Sequence, residues 1–98
     1  MSRELEPEER EYLRQLGRRV RVFRLVAGLT QEELAVRSGV HRATLGTIER
    51  GDHGAGVLTY LRLSRPLGVW MGALLDEESF AVDPAAGPGA DRAEGLPS

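Results

Sequence analysis

The residues of this 98-residue chain that invite chemistry are its two histidines, an adjacent pair of glutamates and an unusual set of arginines. His41, or Asp52 beside His53, suggests a metal site or a nuclease. Asp52 and His53, however, are neighbours in the Gly-rich run GDHGAG, where no fixed geometry aims their side chains. Glu32 and Glu33 are adjacent helix residues and do not share a face. There is no HExxH, no serine elbow and no glycine phosphate cradle. The absence of cysteine removes disulfides, thiol catalysis and zinc thiolate sites together. These patterns argue against an enzyme, and no metal or cofactor is expected.

The cations are more informative. All thirteen basic residues are arginine, none lysine. A guanidinium fork grips phosphate bidentately, although GC-rich coding bias is the plainer account of the composition. Net charge is −2, but its distribution matters more than its total. Residues 1–11 carry two Arg against five acids, residues 12–50 eight against three, and residues 51–98 three against seven. A basic island thus lies between acidic flanks. Length predicts one small domain. No long apolar run and no charged start leading into an apolar segment is present, which leaves the cytoplasm as the expected compartment and no membrane as a partner.

Those cations need elements to position them. Leu13, Leu16, Val20, Phe23 and Ala27 recur at spacings of three and four, which predicts an amphipathic helix over residues 8–27, stopped by Gly28. Thr30 with Glu33 is a capping box opening a second helix, which ends by Gly39. Leu45 and Ile48 share a face of a third helix over residues 41–50, closed by Gly51. A fourth helix over residues 57–66 is expected to bury Leu58, Leu61 and Tyr60 and to end or kink near Pro66. LGVWMGALL suggests a short fifth, with Val69, Leu74 and Leu75 inward. The expected organisation is a flexible N-terminus over residues 1–8, an all-α five-helix domain over residues 9–78, and a disordered acidic Ala/Gly/Pro tail over residues 79–98.

Two short helices joined by a glycine turn form a helix-turn-helix, whose second helix, in its DNA-binding use, enters the major groove. Gly39 makes the bend. Ala35 is small at the crossing, while Leu34, Val40, Leu45 and Ile48 supply the packing. Free amides at the start of the first of these two helices, at Thr30 and Gln31, suit a phosphate. Through LGRRVRVFR, GLTQEELA, SGVHRATLGTIERG and, more weakly, LGVWMGALL, some sixty of the residues resemble the phage repressor and Cro-like (XRE-type) helix-turn-helix family. The resemblance implies a five-helix lambda-repressor-like fold. It also implies a homodimeric transcription regulator, a repressor in the leading reading, on inverted-repeat double-stranded DNA.

By motif position, the resemblance implies that Gln31 grips a phosphate, with Thr30 and Arg50 making flanking backbone contacts. It puts His41, Arg42 and Thr47 at the groove-facing positions. Arg42, near its helix N-terminus, suits guanine O6 and N7, a pair worth about 1–3 kcal/mol of discrimination. Thr47 suits a thymine methyl or a base edge. Thr44 is either a phosphate contact or a surface threonine without a role. Arg24 and Glu49 match an internal salt bridge between the first and third helices, the alternative being two solvated side chains.

Tyr60, Trp70 and Met71 lie toward the end where the family dimerises, although Trp70 capping the core is the other possibility. The broad stripe of Val22, Leu25 and Val26 suggests a second protein surface. The chain departs from the pattern in its acidic GDHGAG loop, and each missing phosphate contact lowers the salt slope by about 0.9. It also departs at Gly46, which costs about 1 kcal/mol in a helix interior and leaves a bare patch. The competing reading is a protein-binding module, or an antitoxin-like partner of a toxin, with weak or secondary DNA binding.

Overall fold

The first helix begins with a reciprocal cap. Glu6 is the N-cap, the Glu9 carboxylate accepts from the Glu6 amide at 2.7 Å, and Pro7 occupies the first turn. Proline costs nothing there because its missing N–H would have had no helical partner. A computed structural model describes residues 4–76 of the chain; the expected tail over residues 79–98 lies outside the described residues.

Five helices follow in order: α1 Pro7–Val26, α2 Gln31–Ser38, α3 Arg42–Arg50, α4 Val57–Leu67 and α5 Met71–Leu75. The fold is all-α, as the sequence patterns predict, and of lambda-repressor type, as the resemblance implies. Gly28 stops α1 with a φ of 76°. The amides of Gly28 and Leu29 return to the carbonyls of Leu25 and Arg24, closing the last turn in a Schellman arrangement. Thr30 Oγ1 accepts from the Glu33 amide at 3.0 Å and Glu33 returns the bond to Thr30 at 2.8 Å, so the capping box forms as expected. Gly39, with a φ of 74°, makes the bend between α2 and α3.

Leu16, Val20, Leu29, Leu34, Val40, Leu45, Ile48, Tyr60, Leu63, Leu67 and Leu74 form one buried cluster. Around it α1 packs chiefly on α3, α2 on α4 and α3, and α5 on α4 and α1. The α4 expectation needs correcting. Leu58 is 62% exposed and Leu61 half-buried, while Tyr60, Leu63, Ser64 and Leu67 face the core. Both stripes have helical period, and α2 and α5 cover the one a residue or two further round. The helix ends one residue after Pro66, capped by Gly68. Ala27, expected inward, is an exposed cap of α1.

Two close approaches lock α1 onto α3. A Cβ at Gly17 would stand 2.3 Å from the Ile48 carbonyl oxygen, and one at Gly51 2.8 Å from the Arg14 Cα. Neither distance admits a side chain, so glycine is required at both. On the same stretch of α1 Arg19 is fully buried. Its Nε donates to the Leu74 carbonyl at 2.7 Å, and its guanidinium carbon lies 5.6 Å from the centre of the Tyr12 ring. The Tyr12 hydroxyl donates to the Leu75 carbonyl. Two donors from α1 thus hold the last carbonyls of α5, where the helix dipole favours a cation.

Candidate nucleic-acid interface

The site begins with a buried ion pair. Arg24 from α1 donates through Nε and Nη2 to the two carboxylate oxygens of Glu49 on α3, at 2.7 and 3.0 Å. Its Nη1 donates to the Leu29 carbonyl at 2.9 Å. Only 9% and 4% of the two side chains is exposed, so the solvated alternative fails and the internal bridge exists. Hydrogen bonding to Glu49 holds Arg24 above its ordinary pKa, against a smaller opposing effect of burial. A bidentate pair of this kind fixes register and orientation more surely than it adds stability.

Gln31, the first residue of α2, joins that pair: its Nε2 donates to Glu49 Oε1 at 3.0 Å. An amide nitrogen carries two hydrogens, so one is spent on Glu49 and the other remains for a further acceptor. The motif pointed to a phosphate role but gave no hint of Glu49 as the group that orients the amide. Thr30 stands beside it as the exposed N-cap of α2. The Thr30 amide and hydroxyl hold the Glu33 carboxyl below the usual carboxylate range.

On α3, His41 is the N-cap and makes no side-chain cap bond, and His41, Arg42 and Thr44 are all exposed. Leu45 and Ile48 turn to the core. Thr47 is half-buried, its hydroxyl donating to the Ala43 carbonyl at 3.0 Å and accepting from Arg50 Nη2 at 3.4 Å. Arg50 Nε donates to Asp52 at 2.9 Å, and Arg42 Nε lies 3.9 Å from Glu32.

Gly46 is a correction. Instead of leaving a bare patch it is buried, and a Cβ there would stand 3.2 Å from Arg50 Nη1. Tyr60 is a second correction. It is buried in the core with its hydroxyl accepting from the Ala55 amide at 3.1 Å, so it cannot share an exposed patch with Trp70. Burial raises the Tyr60 pKa. Trp70 is 59% exposed, its ring lying over Gly72, and Met71 is half-buried.

Among the described residues no group of three His, Asp or Glu side chains could hold a metal ion, and no helix is long and apolar enough to cross a membrane. A five-helix domain that presents the start of α3 beside the capped start of α2 has the architecture of a DNA-binding helix-turn-helix unit. The comparisons agree. The model of a helix-turn-helix domain family matches residues 15–77. The chain is 33% identical over 65 residues to control protein C.SmaI of Serratia marcescens, covering 66% of this chain and 77% of that protein. It is 34% identical over 73 residues to the transcriptional regulator SlrR of Bacillus subtilis, covering 74% of this chain and 48% of the relative. An HTH_3 family transcriptional regulator from Vibrio cholerae superposes with a TM-score of 0.65 at 25% identity, over 71% of this chain and 40% of that one. A hypothetical transcription factor from Neisseria shares the fold, with a TM-score of 0.63 at 24% identity and 98% coverage of both chains. The chain belongs to the XRE/Cro-like family of helix-turn-helix transcriptional regulators, proteins that bind DNA sequence-specifically.

Proposed function

We propose that the chain is a homodimeric repressor that reads an inverted-repeat operator through α3. The observation that carries this reading is the exposed cluster His41, Arg42 and Thr44 at the start of α3, held against α2 by the Arg24–Glu49–Gln31 network. In this reading His41, Arg42 and Thr47 meet bases, with Arg42 on a guanine, while Thr30, Gln31, Thr44 and Arg50 meet phosphates. Trp70 and Met71 supply the dimer contact, and the buried Tyr60 has no part in it. Two copies of α3 would then lie about 34 Å apart, one DNA turn. The names of the relatives, a control protein and transcriptional regulators, support a regulatory role.

The test is selection from a random duplex pool at low salt, followed by affinity against salt for the enriched sequence. An enriched inverted repeat with a negative salt slope is expected. Arg42→Ala should then relax preference at one base position per half-site, whereas Gln31→Ala should weaken all sequences alike. If both variants keep full affinity and preference, the assignment of these residues is wrong. A second reading, a module for a protein partner such as a toxin, draws on the exposed Leu25 and Val26 at the end of α1. A well-folded chain that enriches no sequence would favour it.

A further inference from the structure

The solvent side of α1 carries a stripe of cations that the reading of α3 leaves unused. Arg14, Arg18 and Arg21 recur at spacings of four and three, so they share one face of the helix, and all three are exposed. Gly17, between them, shows which way that face looks. A Cβ there would meet the Ile48 and Glu49 carbonyl oxygens, so at this point α1 abuts the last turn of α3. A step of about 100° per residue puts Leu16 and Val20 on one side of Gly17 and the three arginines on the other. Leu16 and Val20 enter the core with Leu45 and Ile48, the inner face of α3. The arginines therefore lie toward its outer face, with Arg50. Their stripe spans about 10 Å. At one end the Arg14 Cα is 2.8 Å from where a Gly51 Cβ would stand, so Arg14 adjoins the residue after Arg50. At the other, Arg21 stands one turn before Arg24, whose partner Glu49 also holds Gln31.

We propose that Arg14, Arg18 and Arg21 bind the phosphate backbone of the duplex that α3 reads. The proposal rests on the reading of α3 as the groove helix. The major groove is about 12 Å wide and a helix with its side chains about 10–12 Å across, so α3 fills it and the elements flanking its outer face meet the phosphate walls. The loop after α3 brings no arginine to this end: residues 51–56 carry Asp52 and His53, and Asp52 accepts from Arg50. Like charges three and four residues apart repel along a helix, and α1 has no acidic residue after Glu11 to offset them. Arg18 and Arg21 have no ion-pair partner among the described residues. Arg14 donates to Glu11 through Nε and Nη2, which leaves its Nη1 hydrogens for a phosphate without breaking that pair. Contacts to phosphate carry no sequence information, so the stripe adds affinity and not preference.

The experiment measures the affinity of the full chain for the enriched duplex and for a scrambled duplex of equal length, across a salt series. A variant with Arg14→Gln, Arg18→Gln and Arg21→Gln is set beside one with Arg37→Gln, Arg62→Gln and Arg65→Gln, exposed arginines of α2 and α4 whose loss removes the same charge elsewhere. Circular dichroism checks that both remain folded. The α1 variant should bind both duplexes about tenfold or more weakly at low salt, by the same factor, with a salt slope shallower by at least about 0.9, one phosphate's share. The α2 and α4 variant should keep the parent slope. Lysine at the three α1 positions should keep it too, because counterion release depends on charge. An unchanged slope in the α1 glutamine variant, an equal flattening in the α2 and α4 variant, or a flattening with lysine as large as with glutamine would overturn the proposal. If Arg42→Ala relaxes base preference while the α1 variant keeps its slope, the α1 contact alone falls. If no sequence is enriched, the operator reading falls, and the slope on the scrambled duplex still decides the contact.

Discussion

The seam between α1 and α3 and the outer face of α3 lie on the same two turns of helix and are built on opposite terms. At the seam, Arg24 and Glu49 pair bidentately out of water, and Gly17 and Gly51 let backbone touch backbone. On the outer face Arg42 and Arg50 pair with carboxylates in full view of solvent. The first region has one arrangement and pays heavily to leave it; the second has partners it can exchange. A reading helix needs both, since side chains can trade partners selectively only from a backbone that holds still.

The sharpest way to break this contrast is Glu49→Ala. It strands a buried guanidinium and should cost about 3–5 kcal/mol, read by chemical denaturation. A loss below about 1 kcal/mol would place the pair with the exposed ones. Gly17→Ala comes next: its Cβ must push against carbonyls of α3, and overpacking of this kind costs about 1–3 kcal/mol. Unaltered stability would show that α1 and α3 can part easily. Thr30→Ala, at the cap of α2, should cost about 1 kcal/mol. The same cap has a pH signature. Because the folded Glu33 carboxyl titrates below its ordinary value, its contribution is complete above the unfolded value and is lost as pH falls through the folded one. Thr30→Ala should therefore flatten part of the acid limb of stability against pH, and an unchanged limb would exclude the cap as its source. Smallest of all, Arg42→Ala should change stability by no more than about 0.5 kcal/mol, as an exposed residue should, even while it alters DNA preference.

How much of this was legible in the chain follows the range of the interactions. Capping boxes, glycine stops and the apolar period of α1 are signals within a few residues, and they appear where the sequence puts them. The α4 stripe is ambiguous in sequence because VLTYLRLSRPL offers two apolar faces, and only the packing of α2 and α5 decides between them. Gly17 reads in sequence as a weak point in a helix; its role exists only through the backbone of α3. Arg19 looks like any other arginine of the basic island, and nothing local says that the end of α5 will enclose it. The Arg24–Glu49 bridge was reached through the family motif, whereas the bond from Gln31 to Glu49 was not, since the motif fixes residue positions and not the direction in which an amide turns.

The grip of Arg19 and Tyr12 on α5 has a mechanical consequence. Five residues are too few to sustain a helix unaided, so α5 takes its orientation from α4 and, through these two donors, from α1, a rod of about 30 Å. That rod is also seamed to α3. In the proposed dimer, the contact at Trp70 and the two reading helices would therefore move as one stiff frame. An operator with altered half-site spacing would have to be matched by twisting the DNA, so the tolerance of the protein for spacing would be set by the torsional compliance of the duplex.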